Sequence, residues 1–109
     1  MANPFKLKTK ANVGVTTVGI YTAPASTTTV VIGITLANTS GSGVNVGVGI
    51  TRAGTTEDVK LLKNAPIPQG SSLEFMGGNK VVLETTDTLT VDSDTNNSVD
   101  ASLTIMEIT

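Results

Sequence analysis

Val30-Val31-Ile32-Gly33-Ile34-Thr35-Leu36-Ala37, followed by Val44-Asn45-Val46-Gly47-Val48-Gly49-Ile50-Thr51, decides the fold class of this chain. In the first stretch Val30, Ile32, Ile34 and Leu36 recur at every second residue, against Val31, Gly33, Thr35 and Ala37. In the second, Val44, Val46, Val48 and Ile50 oppose Asn45, Gly47, Gly49 and Thr51. A third stretch near the end repeats the pattern, with Val99, Ala101, Leu103 and Ile105 against Asp100, Ser102, Thr104 and Met106. Side chains along a strand point alternately to opposite faces, so one set can enter a core while the other stays small and flat. A helix cannot use a period of two. The expectation is an all-β chain whose core includes Val30, Ile32, Ile34, Leu36, Val46, Val48, Ile50, Leu89, Val91, Leu103 and Ile105.

Working outward, the first element spans Phe5 to Ala11, where Phe5, Leu7 and Thr9 alternate with Lys6, Lys8 and Lys10. Three lysines on one face repel unless solvated or met by acids, and lysine commonly blunts an edge strand. Val13 to Tyr21 follows, with a change of apolar phase that predicts a break near Thr16 and Thr17. Pro24 marks a turn over Thr22 to Ser26. The long strand Thr28 to Asn38 leads through a Gly-rich hairpin loop, Thr39 to Gly43, into Val44 to Arg52. Ala53 to Thr56 is the next turn. Glu57 to Lys63 reads as strand, and the prolines at 66 and 68 make Ala65 to Gly70 a connection between sheets. Short strands are expected at Ser72 to Met76, ended by Gly77 and Gly78, at Lys80 to Glu84 and at Thr88 to Asp92. Asp94 to Asn97 reads as a last hairpin turn before Ser98 to Ile108. Roughly eight strands at ten-residue spacing describe an antiparallel β-sandwich, jelly-roll-like in character. Residues 1–12 form an N-terminal strand or arm, and 13–109 the sandwich domain.

The bulk composition narrows the function classes. One domain of 109 residues with 3% aromatics and no Trp must build its core from Val, Ile and Leu, which suit a pleated sheet. A formal charge of −2 argues against a nucleic-acid partner. Only 15% of residues are charged, which in a β-protein means either a surface covered by a partner or edges at risk of aggregation. With no cysteine, stability must come from the core or from assembly. Met1 to Lys10 lacks the apolar centre of a secretory signal, and no apolar run approaches a membrane span. The expectation is a soluble chain, or one used in a particle assembled in the cytoplasm.

The chemistry available to the chain is thin. Without His and Cys, the commonest general base, the thiolate nucleophile and most transition-metal sites are missing. Carboxylate pairs serve glycosidases in clefts rich in aromatic rings, and this chain has three aromatic residues. The reading is that the chain is not an enzyme and has no cofactor. Asp92-Ser93-Asp94-Thr95-Asn96 resembles the start of a calcium loop, with oxygens at alternate positions. The match fails at Asn97, where the sharp-turn Gly belongs, and at Leu103, where the bidentate Glu belongs. The same residues also read as a solvated turn. Gly41, Gly43, Gly47 and Gly49 lack the helix of a dinucleotide fingerprint, and the later pair marks close backbone approach inside a strand. Lys6, Lys8 and Lys10 are candidates for docking an acidic partner surface, with an edge face kept soluble by charge as the alternative.

Asn64-Ala65-Pro66-Ile67-Pro68-Gln69-Gly70-Ser71-Ser72-Leu73, Gly77-Gly78-Asn79-Lys80-Val81-Val82-Leu83-Glu84 and Asp87-Thr88-Leu89-Thr90-Val91 form recognisable blocks. With the ending Val99 to Ile108, they resemble small virion structural proteins of tailed bacteriophages, notably marine and cyanobacterial ones. These blocks are turn-and-strand signatures and transfer no active site. The resemblance implies a β-sandwich building block located in the virion. It would decorate or cement the capsid by binding the major capsid protein, or sit in the neck, tail or baseplate. A tail-associated receptor- or glycan-binding module is the rival, and the shortage of aromatic rings counts against it. The resemblance also implies self-association, with a trimer as the expected form.

Overall fold

The computed structural model describes residues 4–52, 57–75 and 81–108, which form nine strands and no helix. In chain order they are β1 (Phe5–Val13), β2 (Val18–Thr22), β3 (Thr28–Asn38), β4 (Val44–Arg52) and β5 (Glu57–Ile67). There follow β6 (Ser72–Phe75), β7 (Val81–Leu83), β8 (Asp87–Ser93) and β9 (Val99–Ile108). One sheet has the order β1-β9-β3, with β6 and β7 both paired to the far side of β3. The other has the order β2-β8-β4-β5. Every pairing is antiparallel.

The chain passes between the sheets at every connection except β4–β5 and β6–β7. That wrapping is a jelly roll, two four-position layers in which β6 and β7 share one position. It places the apolar sets of β3, β4, β8 and β9 face to face. Ile34, Leu36, Val46, Val48, Leu89, Val91, Leu103 and Ile105 are almost wholly inaccessible, and Ile50 is buried with them. Each such side chain contributes about 1.5–3 kcal/mol of hydrophobic stabilisation.

Two expected core residues are not core. In β3 the inward residues are Thr29 and Val31, then Ile34, Leu36 and Asn38, whereas Val30 and Ile32 are half-buried. The register against β9 slips between Val31 and Gly33. The slip is a β-bulge: the extra residue reverses the phase of everything on its N-terminal side. Apolar residues on both faces of Val30-Val31-Ile32 hide this from periodicity.

The two short loops that precede β4 and β9 are arches, not hairpins. β3 and β4 lie in different sheets, as do β8 and β9. Thr39–Gly43 and Asp94–Asn97 carry the chain across the core, because strands whose apolar faces oppose one another bury more surface than strands paired edge to edge. The Asn38 amide braces the first arch, donating to the carbonyls of Ser42 at 2.8 Å and Ile67 at 2.9 Å. Ser93 Oγ and Ser98 Oγ, 2.7 Å apart, close the second. β5 also runs further than expected, through Pro66 to Ile67. It is an edge strand, where a proline's missing N–H costs no ladder bond. The chain crosses between sheets only after it. The expected turn at 53–56 and the glycines at 77 and 78 lie outside the described residues. The break expected near Thr16 and Thr17 separates β1 from β2.

Candidate docking surface

β1 forms one edge of the five-stranded sheet, paired with β9 from Phe5↔Met106 to Lys10↔Ala101. Lys6, Lys8 and Lys10 therefore share a face with Ile105, Leu103 and Ala101, the inward residues of β9. The lysine face turns toward the open side of the sandwich, and Phe5, Leu7 and Thr9 turn outward. This orientation follows from what the lysines meet. The inward alternation of β9 ends in Glu107, whose side chain is only 9% exposed. Lys6 Nζ lies 2.8 Å from Glu107 Oε1. The Tyr21 hydroxyl, reaching across from β2, donates to Glu107 Oε2 at 2.6 Å and lies 2.8 Å from Thr29 Oγ1. Lys8 Nζ sits 5.9 Å from the centre of the Tyr21 ring, a cation–π contact. Lys6 and the Tyr21 bond hold the Glu107 carboxyl below the usual carboxylate range, outweighing its burial. Burial and the bond to Glu107 push the Tyr21 hydroxyl up to about 12. Lys10 makes no ion pair among the described residues. Glu107 was not singled out from the sequence, although it falls on the inward phase of Val99 to Ile105.

The oxygens of Asp92, Asp94 and Asn96, whose spacing resembles the start of a calcium loop, have separate partners. Asp92 Oδ2 accepts from Thr17 Oγ1 at 3.0 Å and lies 3.7 Å from Lys60 Nζ. Asp94 Oδ1 accepts from the backbone of Asn45 at 3.1 Å, and Asn96 Oδ1 from that of Val15 at 3.4 Å. Asp92 and Asn96 thus hold the β1–β2 connection, and Asp94 holds the start of β4. No cluster of three acids, histidines or cysteines fit to hold a metal ion occurs among the described residues. The other acidic group, Glu84 and Asp87, is met by Arg52: its Nε lies 3.2 Å from Asp87 Oδ1, and its Nη2 contacts Glu84. Asp87 Oδ2 accepts from the Glu84 backbone at 2.9 Å, so this corner pins the β7–β8 turn. The close backbone approach expected at the strand glycines is present. A Cβ on Gly47 would lie 2.6 Å from Asp92 Oδ1, and one on Gly49 would lie 2.8 Å from the Val59 carbonyl oxygen.

The feature that stands out is the outer face of the five-stranded sheet. A row of facing residues runs across four strands: Phe5, Met106, Val30 and Val82. Phe5 is 68% exposed and Val82 53%, while Met106 and Val30 are half-buried. Beside this row stand Leu7, 66% exposed, Ile108, 39% exposed, and the bulge residue Ile32. None of these side chains carries charge. The next rows are small: Thr104 faces Gly33, and Thr9, Ser102, Thr35 and Glu74 line up across β1, β9, β3 and β6. Two adjoining hollows lie over these small residues. One, of about 370 Å³, has Gly33, Thr35, Ser102 and Thr104 in its lining. The other, of about 310 Å³, reaches Thr9, Ala11 and Ala37. The sequence signal for this face was the pair of runs Val30-Val31-Ile32 and Val81-Val82-Leu83, apolar on both phases, as in sheets covered on both sides. No helix among the described residues is long and apolar enough to cross a membrane. No family model, curated protein or solved structure matches the chain.

Proposed function

We propose that this chain is a structural protein of a tailed-phage virion, most readily a decoration or cement protein on the capsid surface. The observation that carries the proposal is the uncharged apolar patch around Phe5, Met106, Val30 and Val82 on the outer face of the five-stranded sheet. Contiguous exposed apolar surface of this kind marks an interaction site in a soluble protein. The virion assignment rests on the resemblance of the turn-and-strand blocks, and the jelly roll agrees with it, being an architecture that recurs in viral capsid domains. The same architecture recurs in lectins and cupins, so fold alone selects no function. The hollows on the outer face are lined mainly by Thr, Ser, Gly, Ala and Ile, with Lys10, Glu74 and Asp100 among them and no aromatic ring, which favours protein packing over sugar stacking. Burial of the apolar face against another subunit of the particle would stabilise the assembled form by mass action. Lys10, exposed beside that face, would steer the approach to an acidic shell surface.

The test is the copy number of the chain in purified particles, by quantitative mass spectrometry with immunogold labelling for position. Hundreds of copies over the head are expected. A few to dozens at one vertex would place it in the neck, tail or baseplate. Absence from the particle overturns the reading.

A further inference from the structure

We infer that the outer face of the five-stranded sheet is the contact surface of a two-fold symmetric dimer, its partner being a second copy of this chain. The inference rests on reading that face as a docking surface, and not on the virion assignment. The face carries both halves of a complementary contact. The apolar ridge Phe5–Met106–Val30–Val82 runs across the strands. The trough row Thr9–Ser102–Thr35–Glu74 runs parallel to it, four residues further along β1 and β9. At a strand rise of ~3.4 Å per residue the two are about 14 Å apart. Midway between them lies the row containing Leu7, Thr104 and Gly33. A two-fold axis lying in the face along this middle row sets each copy's ridge into the other's trough. Such an isologous contact is closed and stops at two copies.

Three features agree with this occupant. The operation keeps the strands of the facing sheets nearly aligned, the common geometry of sheet-on-sheet packing. Charge is compatible at the rows that meet: the ridge has none, and the trough row has only the exposed Glu74 at its β6 end. Asp100, one row beyond the trough, accepts from the Asn12 backbone at 3.0 Å and lies beside Lys10. The axis puts the two Glu74 side chains on opposite sides of it, each at the rim beside the partner's Val82. Area is compatible too. Three strands of 9, 11 and 10 residues, with β6 and β7 of 4 and 3 residues beside them, span a plane of roughly 450 Å² at ~4.8 Å between strands and ~3.4 Å per residue, before side-chain relief is added; that is more than half of the ~800 Å² per partner of a stable complex.

The full chain in sedimentation equilibrium is expected to be a dimer. Leu7→Lys on the middle row and Ser102→Phe in the trough should each raise the dissociation constant more than about tenfold. Leu7 stands outside the core and Ser102 is only half-buried on the outer face, so far-ultraviolet spectra should stay those of the parent. Because the chain has no cysteine, an introduced one reports geometry cleanly. Leu7→Cys, opposite its own copy, should form a disulfide-linked dimer in air. Phe5→Cys alone should not, but should link to Thr9→Cys in a mixture of the two variants. A monomer at all concentrations, a dimer indifferent to Leu7→Lys and Ser102→Phe, or a trimer overturns the inference. If the chain is monomeric and Leu7→Lys abolishes its loading onto particles, the docking surface stands and the two-fold pairing falls. If Leu7→Lys loads like the parent, the docking reading falls instead.

Discussion

The Tyr21 hydroxyl donates to Glu107 Oε2 across 2.6 Å, joining the edge strand of one sheet to the strand beside the edge of the other. Lys6 and Thr29 complete the set, so the group closes the sandwich on its open side with charge matched to charge. A buried carboxylate is tolerable only when so partnered. No buried side-chain nitrogen or oxygen among the described residues is left without a hydrogen bond.

Tyr21 is the single tyrosine and the chain has no tryptophan, so tyrosinate absorbance reports this one group. Native protein should titrate near 12, against about 10 in denaturant. A folded pKa above the unfolded one means the stabilisation is complete below pH ~10 and is lost as pH rises through about 12. A native midpoint near 10 would show that the hydroxyl is not held as described.

Glu107 has the opposite sign. Its folded pKa lies below its unfolded value, so its contribution is present above the unfolded carboxylate pKa and is lost as pH falls through the folded one. Urea melts at successively lower pH should show this loss, and Glu107→Gln should flatten it. Tyr21→Phe, which leaves Glu107 short of a donor, should cost about 1–3 kcal/mol at neutral pH.

The bulge in β3 makes a paired prediction. Ile34→Ala should cost about 2–5 kcal/mol, as should Leu103→Ala, because both side chains are buried. Ile32→Ala, two residues from Ile34 but on the outer face, should cost clearly less. Equal losses of denaturation midpoint at 32 and 34 would contradict the register slip.

Gly49→Ala should destabilise by about 1–3 kcal/mol, since the added methyl meets the backbone carbonyl of Val59, which has no rotamer to change. Gly41→Ala, with nothing within 4 Å of the added methyl, should be neutral in the same thermal melts.

The three lysines separate by role. Lys6→Ser removes the partner of a buried carboxylate and should lower the melting temperature. Lys10→Ser should leave stability unchanged and slow loading onto particles. That defect should narrow as salt shortens the Debye length from about 10 Å at 0.1 M to about 3 Å at 1 M. If Lys10→Ser loads like the parent at low salt, Lys10 only keeps an edge soluble.

The local pattern of the chain determined its strands. Thr28–Asn38 and Val44–Arg52 follow directly from period-two alternation and the Gly-rich loop between them, because side-chain direction in a strand is set residue by residue. The alternation of β4, β8 and β9 likewise named their inward residues. What alternation cannot carry is any relation between strands. Thr39–Gly43 is short enough for a hairpin or an arch, and only the burial of opposed apolar faces selected the arch. Val30-Val31-Ile32 is apolar on both phases, so only pairing with β9 exposed the bulge. The inward turn of Lys6 and the outward turn of Phe5 and Leu7 were decided by Glu107 and Tyr21. Those residues lie far from Lys6 in sequence and meet it only once both sheets are in place.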